Sequence, residues 1–90
     1  MKLPIEITHL IDNNEIDEAI VAIGRLLEIY PDDAALYYER GRLYWRLEQR
    51  RKAINDYVKA SELDPSSLAV EALRQAMDIM QFYDKSRYNP

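Results

Sequence analysis

YYERGRLYWRLEQRRKAINDYVKASELDP, residues 37–65, contains two helical patterns separated by a short polar turn. Gly41 in the first pattern and Ala53 in the second are small, so the backbones of two antiparallel helices can approach closely where they cross. Tyr57 and Ala60 follow Ala53 at i+4 and i+7, which places all three on one face of the second helix. The stretch therefore predicts a tightly packed helical hairpin.

The rest of the chain carries the same helical pattern. Only two glycines occur among the 90 residues, and apolar side chains recur every three or four residues. Turn-forming residues interrupt this pattern at 12–15, 30–33, 47–49 and 64–67. They leave five helices, near 3–12, 15–29, 33–46, 49–62 and 67–83. The sequence therefore predicts an all-α protein. The candidate N-caps are Asp32 or Asp33 for the third helix and Ser66 or Ser67 for the fifth.

A repeat of 34 residues is visible when the chain is compared with itself. At this shift Ala19 falls on Ala53, and DNNEIDEA at 12–19 falls on RLEQRRKA at 46–53 without a gap. A period of this length with two helices per unit is typical of a solenoid, in which each helix pair stacks on the next.

The unit 34–67 resembles a tetratricopeptide repeat. That family has a large apolar residue, Leu, Gly, Tyr, Ala, an aromatic residue, Ala and Pro at fixed spacings. The matching positions here are Tyr37, Gly41, Tyr44, Ala53, Tyr57, Ala60 and Pro65. Arg40 departs from the pattern because it stands where the family usually has Leu.

The unit 1–33 resembles the repeat more weakly. Its second helix matches through Ala19, Ile23, Leu26 and Pro31, whereas its first helix has Ile7 in place of the Gly and Leu10 in place of the Tyr. The resemblance implies one domain over 1–90, folded as a short right-handed α-solenoid of antiparallel helix pairs. Its parts would be a degenerate first repeat at 1–33, a well-matched second repeat at 34–67, a capping helix at 68–83 and a coil tail at 84–90.

The resemblance also implies a binding surface, because in this family the first helix of each repeat lines a concave groove for a peptide or helix. By this resemblance the groove residues are Ala35, Tyr38, Glu39, Arg42, Trp45 and Arg46. Trp, Tyr and Arg dominate the hot spots of protein interfaces. We therefore expect a non-catalytic interaction module, a small scaffold or adaptor that binds another protein. A second interpretation stays open, in which Trp45 packs on a neighbouring helix and the arginines are only solvated.

Charge is distributed unevenly along the chain, whose formal net charge is −4. Residues 1–36 carry −6, residues 37–60 carry +4 and residues 61–90 carry −2. The acidic flanks disfavour nucleic acid as a partner, and the basic middle favours an acidic peptide. At the 34-residue shift two bases fall on two acids, and we expect ion pairs between them across the repeat junction: Arg51 and Lys52 with Asp17 and Glu18.

The last predicted helix is apolar on two sides. Its narrow polar stripe consists of Glu71, Arg74, Gln75 and Asp78. One apolar side contains Val70, Leu73, Met77 and Met80, and the other contains Ala69, Ala72, Ala76, Ile79 and Tyr83. We expect the first of these sides to cover the second repeat. The surplus apolar surface supports a rival hypothesis, a self-assembling structural protein that forms a homodimer through its terminal helices, including residues 68–83.

The sequence contains no pattern typical of an enzyme. There is no cysteine, His9 is the only histidine, and no glycine-rich phosphate loop or nucleophile elbow occurs. We therefore expect no catalytic residue, metal site or cofactor. The N-terminal segment lacks the apolar core of a signal peptide, and no apolar run approaches the ~20 residues that span a bilayer. A cytoplasmic location without membrane contact is expected.

Overall fold

Five helices and no strand make up the part of the chain that the computed structural model describes, which is the backbone of residues 1–88 and the side chains of residues 1–82. They are α1 (Ile5–Asp12), α2 (Ile16–Ile29), α3 (Ala34–Arg46), α4 (Arg50–Leu63) and α5 (Leu68–Tyr88). The predicted all-α class and the five predicted helices are confirmed. The predicted coil tail at 84–90 is wrong over residues 84–88, where α5 continues. No Gly or Pro occurs within 68–88 to end the helix earlier. Residues 89–90 lie outside the described residues.

The turns within the two helix pairs have the same backbone geometry, 34 residues apart. Asn14 and Glu48 both adopt the left-handed conformation, with φ of 61° and 60°. The amide of the following residue, Glu15 or Gln49, donates to the carbonyl five residues earlier at 2.8 and 3.0 Å. The sequence repeat is therefore a repeat of structure, and α1–α2 and α3–α4 are equivalent antiparallel hairpins.

The N-termini of α3 and α5 are capped by residues that the sequence predicted. The side chain of Asp33 accepts a hydrogen bond from the amide of Leu36 at 3.3 Å, and that of Ser67 accepts from the amide of Ala69 at 3.0 Å. Ahead of α5, the Asp64 carboxylate accepts hydrogen bonds from the hydroxyl and the amide of Ser66, and these lower the pKa of Asp64. These side chains fix where each unit begins.

Two hydrophobic clusters form the interior. The first joins α1, α2 and α3 through Ile7, Ile16, Ala19, Ile23, Leu27, Leu36 and Leu43. The second joins α4 and α5 through Ala53, Tyr57, Ala60, Ala69 and Ala76. Tyr37 packs against both clusters, and Pro31 and Pro65 lie exposed in the connecting turns. The body measures 47 × 29 × 17 Å, and its radius of gyration of 14.0 Å exceeds the roughly 12 Å of a compact domain of this length, as expected for stacked helix pairs.

Helices α3 and α4 cross at Gly41. A Cβ atom added to Gly41 would lie 2.7 and 2.8 Å from two ring carbons of Tyr57 and 3.2 Å from the carbonyl oxygen of Ala53. There is no room for a side chain at this point, so the predicted close crossing is confirmed. Gly24 in α2 differs, because its added Cβ would meet only a guanidinium nitrogen of Arg40, at the ordinary contact distance of 3.8 Å.

Helix α5 packs on α4 through a different face from the one predicted. Val70 and Met77 are 43% and 42% exposed, so the predicted contact is wrong for these two residues, whereas Leu73 packs against the α4–α5 cluster and Met80 is half-buried. The buried residues are Ala69 and Ala76, each fully covered. These small side chains lie against the equally small Ala53 and Ala60 of α4, so that the two helices pack closely. Tyr83, predicted on the alanine side, lies outside the residues whose side chains are described.

The two glycines should respond oppositely to substitution by alanine. Gly41→Ala should destabilise the protein by about 1–3 kcal/mol, because the new methyl group collides with Tyr57 and Ala53. Gly24→Ala should leave the protein unchanged or stabilise it by up to about 1 kcal/mol, because alanine favours the helix and the site has space. Urea denaturation followed by circular dichroism measures both. Equal effects for the two substitutions would show that the crossing does not depend on Gly41.

Candidate functional site

Arg40, the residue that departs from the repeat pattern, is half-buried between helices and does not belong to the predicted groove. Its Nε and one terminal nitrogen donate to the two carboxylate oxygens of Asp56, both at 2.8 Å. The guanidinium carbon lies 5.6 Å from the ring centre of Tyr37 and 5.8 Å from that of Tyr44. Asp56 is only 5% exposed. Arg40 therefore joins α3 to α4 while its far end reaches Gly24 on α2.

The buried pair also keeps Arg40 charged. The hydrogen bonds that Arg40 donates to the Asp56 carboxylate raise the pKa of Arg40, and this outweighs the opposing effect of partial burial. The planar guanidinium matches a carboxylate through two parallel hydrogen bonds, which a lysine could not reproduce. Sequence reasoning missed Asp56. The available signal was the 34-residue repeat, in which Asp56 aligns with Ala22 and Arg40 with Glu6, so that both positions change between the two units.

The six predicted groove residues all lie on α3 and share one side of it, which we call the α3 face: Ala35, Tyr38, Glu39, Arg42, Trp45 and Arg46. Arg42 and Arg46 are exposed, and the other four are half-buried. The guanidinium of Arg42 lies 5.7 Å from the ring centre of Tyr38 and 3.7 Å from a carboxylate oxygen of Glu39. Glu39 thus offsets part of the positive charge of the α3 face.

Arg46 and Trp45 connect the α3 face to the parts of the fold before and after α3. Arg46 donates a hydrogen bond to the side-chain oxygen of Asn14 at 3.4 Å, which links α3 to the α1–α2 turn. Trp45 packs on the cluster between α4 and α5, and the guanidinium of Arg50 lies 5.3 Å from its ring centre. The interpretation in which Trp45 packs on a neighbouring helix therefore holds for part of its surface.

The remaining surface of Trp45 lines an open cleft between α3 and α5, which we call the α3–α5 cleft. Its volume is about 130 Å³, and its lining consists of Trp45, Tyr57, Ala72, Gln75, Ala76 and Ile79. The ring centre of Tyr57, which also lines the cleft, lies 6.1 Å from that of Tyr38, and burial raises the pKa of the Tyr57 hydroxyl. Sequence reasoning placed only Trp45 of this lining in the binding site. The signal for the α5 wall was the second apolar side of the last helix.

The basic turn after α3 is arranged differently from the prediction. Among the described side chains, no ion pair joins Asp17 or Glu18 to Arg51 or Lys52, so that prediction is wrong. The Lys52 ammonium instead lies 5.6 Å from the ring centre of Tyr44. The two acids line a separate cleft of about 450 Å³ together with Leu10, Val21, Ala22 and Arg25. Exposed charges gain little from pairing in water, and α2 packs on α3 rather than against the start of α4.

Two further properties of the described residues bear on the site. No three His, Cys, Asp or Glu side chains are grouped so that they could hold a metal ion. None of the helices there has the length and apolar character needed to cross a bilayer.

Comparison with known proteins found a matching family model and similar solved structures. A family model described as "Tetratricopeptide repeat" matches residues 5–78. The solution NMR structure of the Bacteroides fragilis protein BF1650 superposes with a TM-score of 0.82 at 37% sequence identity, over 99% of this chain and 91% of that one. No curated protein matches the sequence significantly.

Removal of one member of the buried ion pair should destabilise the protein far more than removal of an exposed one. Arg40→Leu should lower the free energy of unfolding by about 3 kcal/mol, because Asp56 is left buried without a partner. Arg40→Leu combined with Asp56→Ala should recover much of this loss, since no buried charge remains. Urea denaturation of the two single variants and the double variant measures the coupling.

The exposed Arg42–Glu39 pair provides the control. Arg42→Gln should change the free energy of unfolding by less than about 1 kcal/mol, because surface ion pairs contribute little. If the losses of Arg40→Leu and Asp56→Ala simply add in the double variant, the two residues are not coupled and the assignment is wrong.

Proposed function

Because the chain belongs to the tetratricopeptide repeat family, we propose that it is a non-catalytic interaction module that binds an acidic segment of another protein at the α3 face. Repeats of this family generally mediate contacts between proteins. The bound segment would be a peptide or a helix, and the module would act as a small scaffold or adaptor. The proposal requires neither a cofactor nor a metal ion.

The observation that carries the proposal is the position of two exposed arginines beside a partly open tryptophan. Arg42 and Arg46 are exposed on the side of α3 that also carries Trp45, and Trp45 lines the α3–α5 cleft. Arginine and tryptophan are the residue types that most often dominate binding energy when a partner covers them. An apolar anchor next to exposed cations suits a segment that carries both apolar and acidic side chains.

The charge distribution supports an acidic ligand. Residues 37–60 carry a net charge of +4, whereas the segments on both sides are net negative. Arg50 adds a guanidinium directly against the Trp45 ring. Complementary charge mainly accelerates association and selects among partners, so a basic ligand would be rejected even where its shape fits.

A second candidate function is homodimerisation through α5, residues 68–83. The observation that favours it is the exposure of Val70 and Met77, which lie about a quarter of a turn around α5 from the buried Ala69 and Ala76. Multi-angle light scattering at several concentrations separates the two candidates. A monomer at all concentrations supports the interaction module, and a dimer that is lost in Met77→Glu supports self-assembly.

Binding at the α3 face should depend on charge in a position-specific way. A fluorescein-labelled peptide rich in glutamate, titrated by fluorescence anisotropy, should bind more tightly than the same peptide with lysine at every glutamate. Arg42→Gln should raise the Kd about three-fold or more, because it removes a cation next to the ligand. Raising the salt concentration should weaken binding, because exposed charges are screened over about 8 Å at physiological ionic strength.

Lys59→Gln is the matched control for this experiment. Lys59 is an exposed base on α4, so its substitution changes the net charge equally but lies outside the α3 face. Equal effects of Arg42→Gln and Lys59→Gln would mean that only net charge matters. Equal binding of the acidic and basic peptides would contradict the proposed function.

A further inference from the structure

The α3–α5 cleft has the size and lining of a pocket for a single apolar side chain. Its volume of about 130 Å³ is close to that of an apolar cavity of about 150 Å³ that holds one benzene ring. The aromatic rings of Trp45 and Tyr57 form two of its surfaces, and Ala72 and Ala76 are too short to fill it. The short alanines that allow α5 to approach α4 closely also leave this space beside them.

The α5 wall of the cleft continues as apolar surface toward solvent. Ile79 lines the cleft and is still 40% exposed. Met77 on the same helix is exposed to a similar extent, but it does not line the cleft. Apolar surface is thus available at the mouth of the cleft, where a ligand could cover it.

The opposite wall of the cleft carries positive charge. The Arg50 guanidinium lies 5.3 Å from the ring centre of Trp45, and Arg42 precedes Trp45 by three residues, about one turn of α3. Each cation also has an acidic neighbour, because Glu48 lies 3.9 Å from Arg50 and Glu39 lies 3.7 Å from Arg42, so their positive charge is offset in part. The pattern complements a segment in which carboxylates flank one large apolar side chain.

We infer that the α3–α5 cleft is the anchor subsite for one large apolar side chain, such as leucine, methionine or phenylalanine, of the acidic protein segment. The inference rests on the proposed function and adds a sequence requirement to the ligand: an apolar residue with acidic neighbours. Acidity draws the segment to the α3 face, and the anchor seated between Trp45 and Ile79 supplies most of the affinity.

Two probe peptides test the requirement on the unmodified protein. One is a fluorescein-labelled peptide of glutamate and alanine with a single central leucine, and the other has alanine in place of that leucine. The leucine peptide should bind roughly ten-fold or more tightly, the effect of burying one such side chain. It should also shift the emission of Trp45, which is the only tryptophan in the chain.

A pair of variants on α5 locates the subsite. Ile79→Gln should weaken the leucine peptide by roughly three- to ten-fold and leave the alanine peptide unchanged, because only the leucine contacts position 79. Met77→Gln, which alters a residue of similar exposure outside the cleft, should change neither peptide. Circular dichroism verifies that both variants are folded.

The outcomes separate this inference from the proposed function. If both acidic peptides bind equally and more tightly than a basic peptide, the proposed function stands and the anchor subsite is wrong. If Met77→Gln weakens the leucine peptide and Ile79→Gln does not, the anchor lies on the other side of α5 and the cleft assignment is overturned. If neither acidic peptide binds, both proposals fail.

Discussion

The close contact between Gly41 and the ring of Tyr57 is the constraint on which the second repeat depends. The ring can approach the α3 backbone this closely only because position 41 has no Cβ atom, and this brings α3 and α4 together at one fixed point. Tyr57 contacts Gly41 and also lines the α3–α5 cleft. The same side chain therefore sets the crossing of two helices and forms part of the candidate binding site.

The Arg40–Asp56 pair acts on the neighbouring side of that crossing. Burial of two charges is costly, and here the cost is offset by two short hydrogen bonds and two aromatic rings close to the guanidinium. Such a pair tolerates little rotation or sliding of one helix along the other, because both hydrogen bonds need the guanidinium and carboxylate planes to coincide. The position of Trp45, five residues further along α3, follows from this alignment.

Helix α5 begins as a third repeat but does not pack as one. Its start reproduces the turn and cap that precede α3, yet Val70 and Met77 are exposed where the corresponding Leu36 and Leu43 are buried. The residues that correspond to Tyr37, Arg40 and Tyr44 are Glu71, Arg74 and Asp78, and Arg74 pairs with both acids within the helix. With alanines facing α4 instead, α5 is rotated about its axis, and this rotation places Ile79 opposite Trp45.

The amino-acid sequence alone determined the number and approximate position of the helices, the caps of α3 and α5, the 34-residue repeat and the crossing at Gly41, because each depends on local spacing or on the presence of a small residue at one position. The same spacing placed Tyr38, Arg42 and Trp45 on one side of α3. Only the tertiary structure decided the partner of Arg40, the face that α5 turns toward α4, and the existence of the α3–α5 cleft. Those features depend on which of several apolar or charged side chains meet in space. The periodicity of α5 is compatible with burial of either of two faces. Close packing of Ala69 and Ala76 against the alanines of α4 decides between them. This contact joins residues of different helices, so the pattern within one helix cannot predict it.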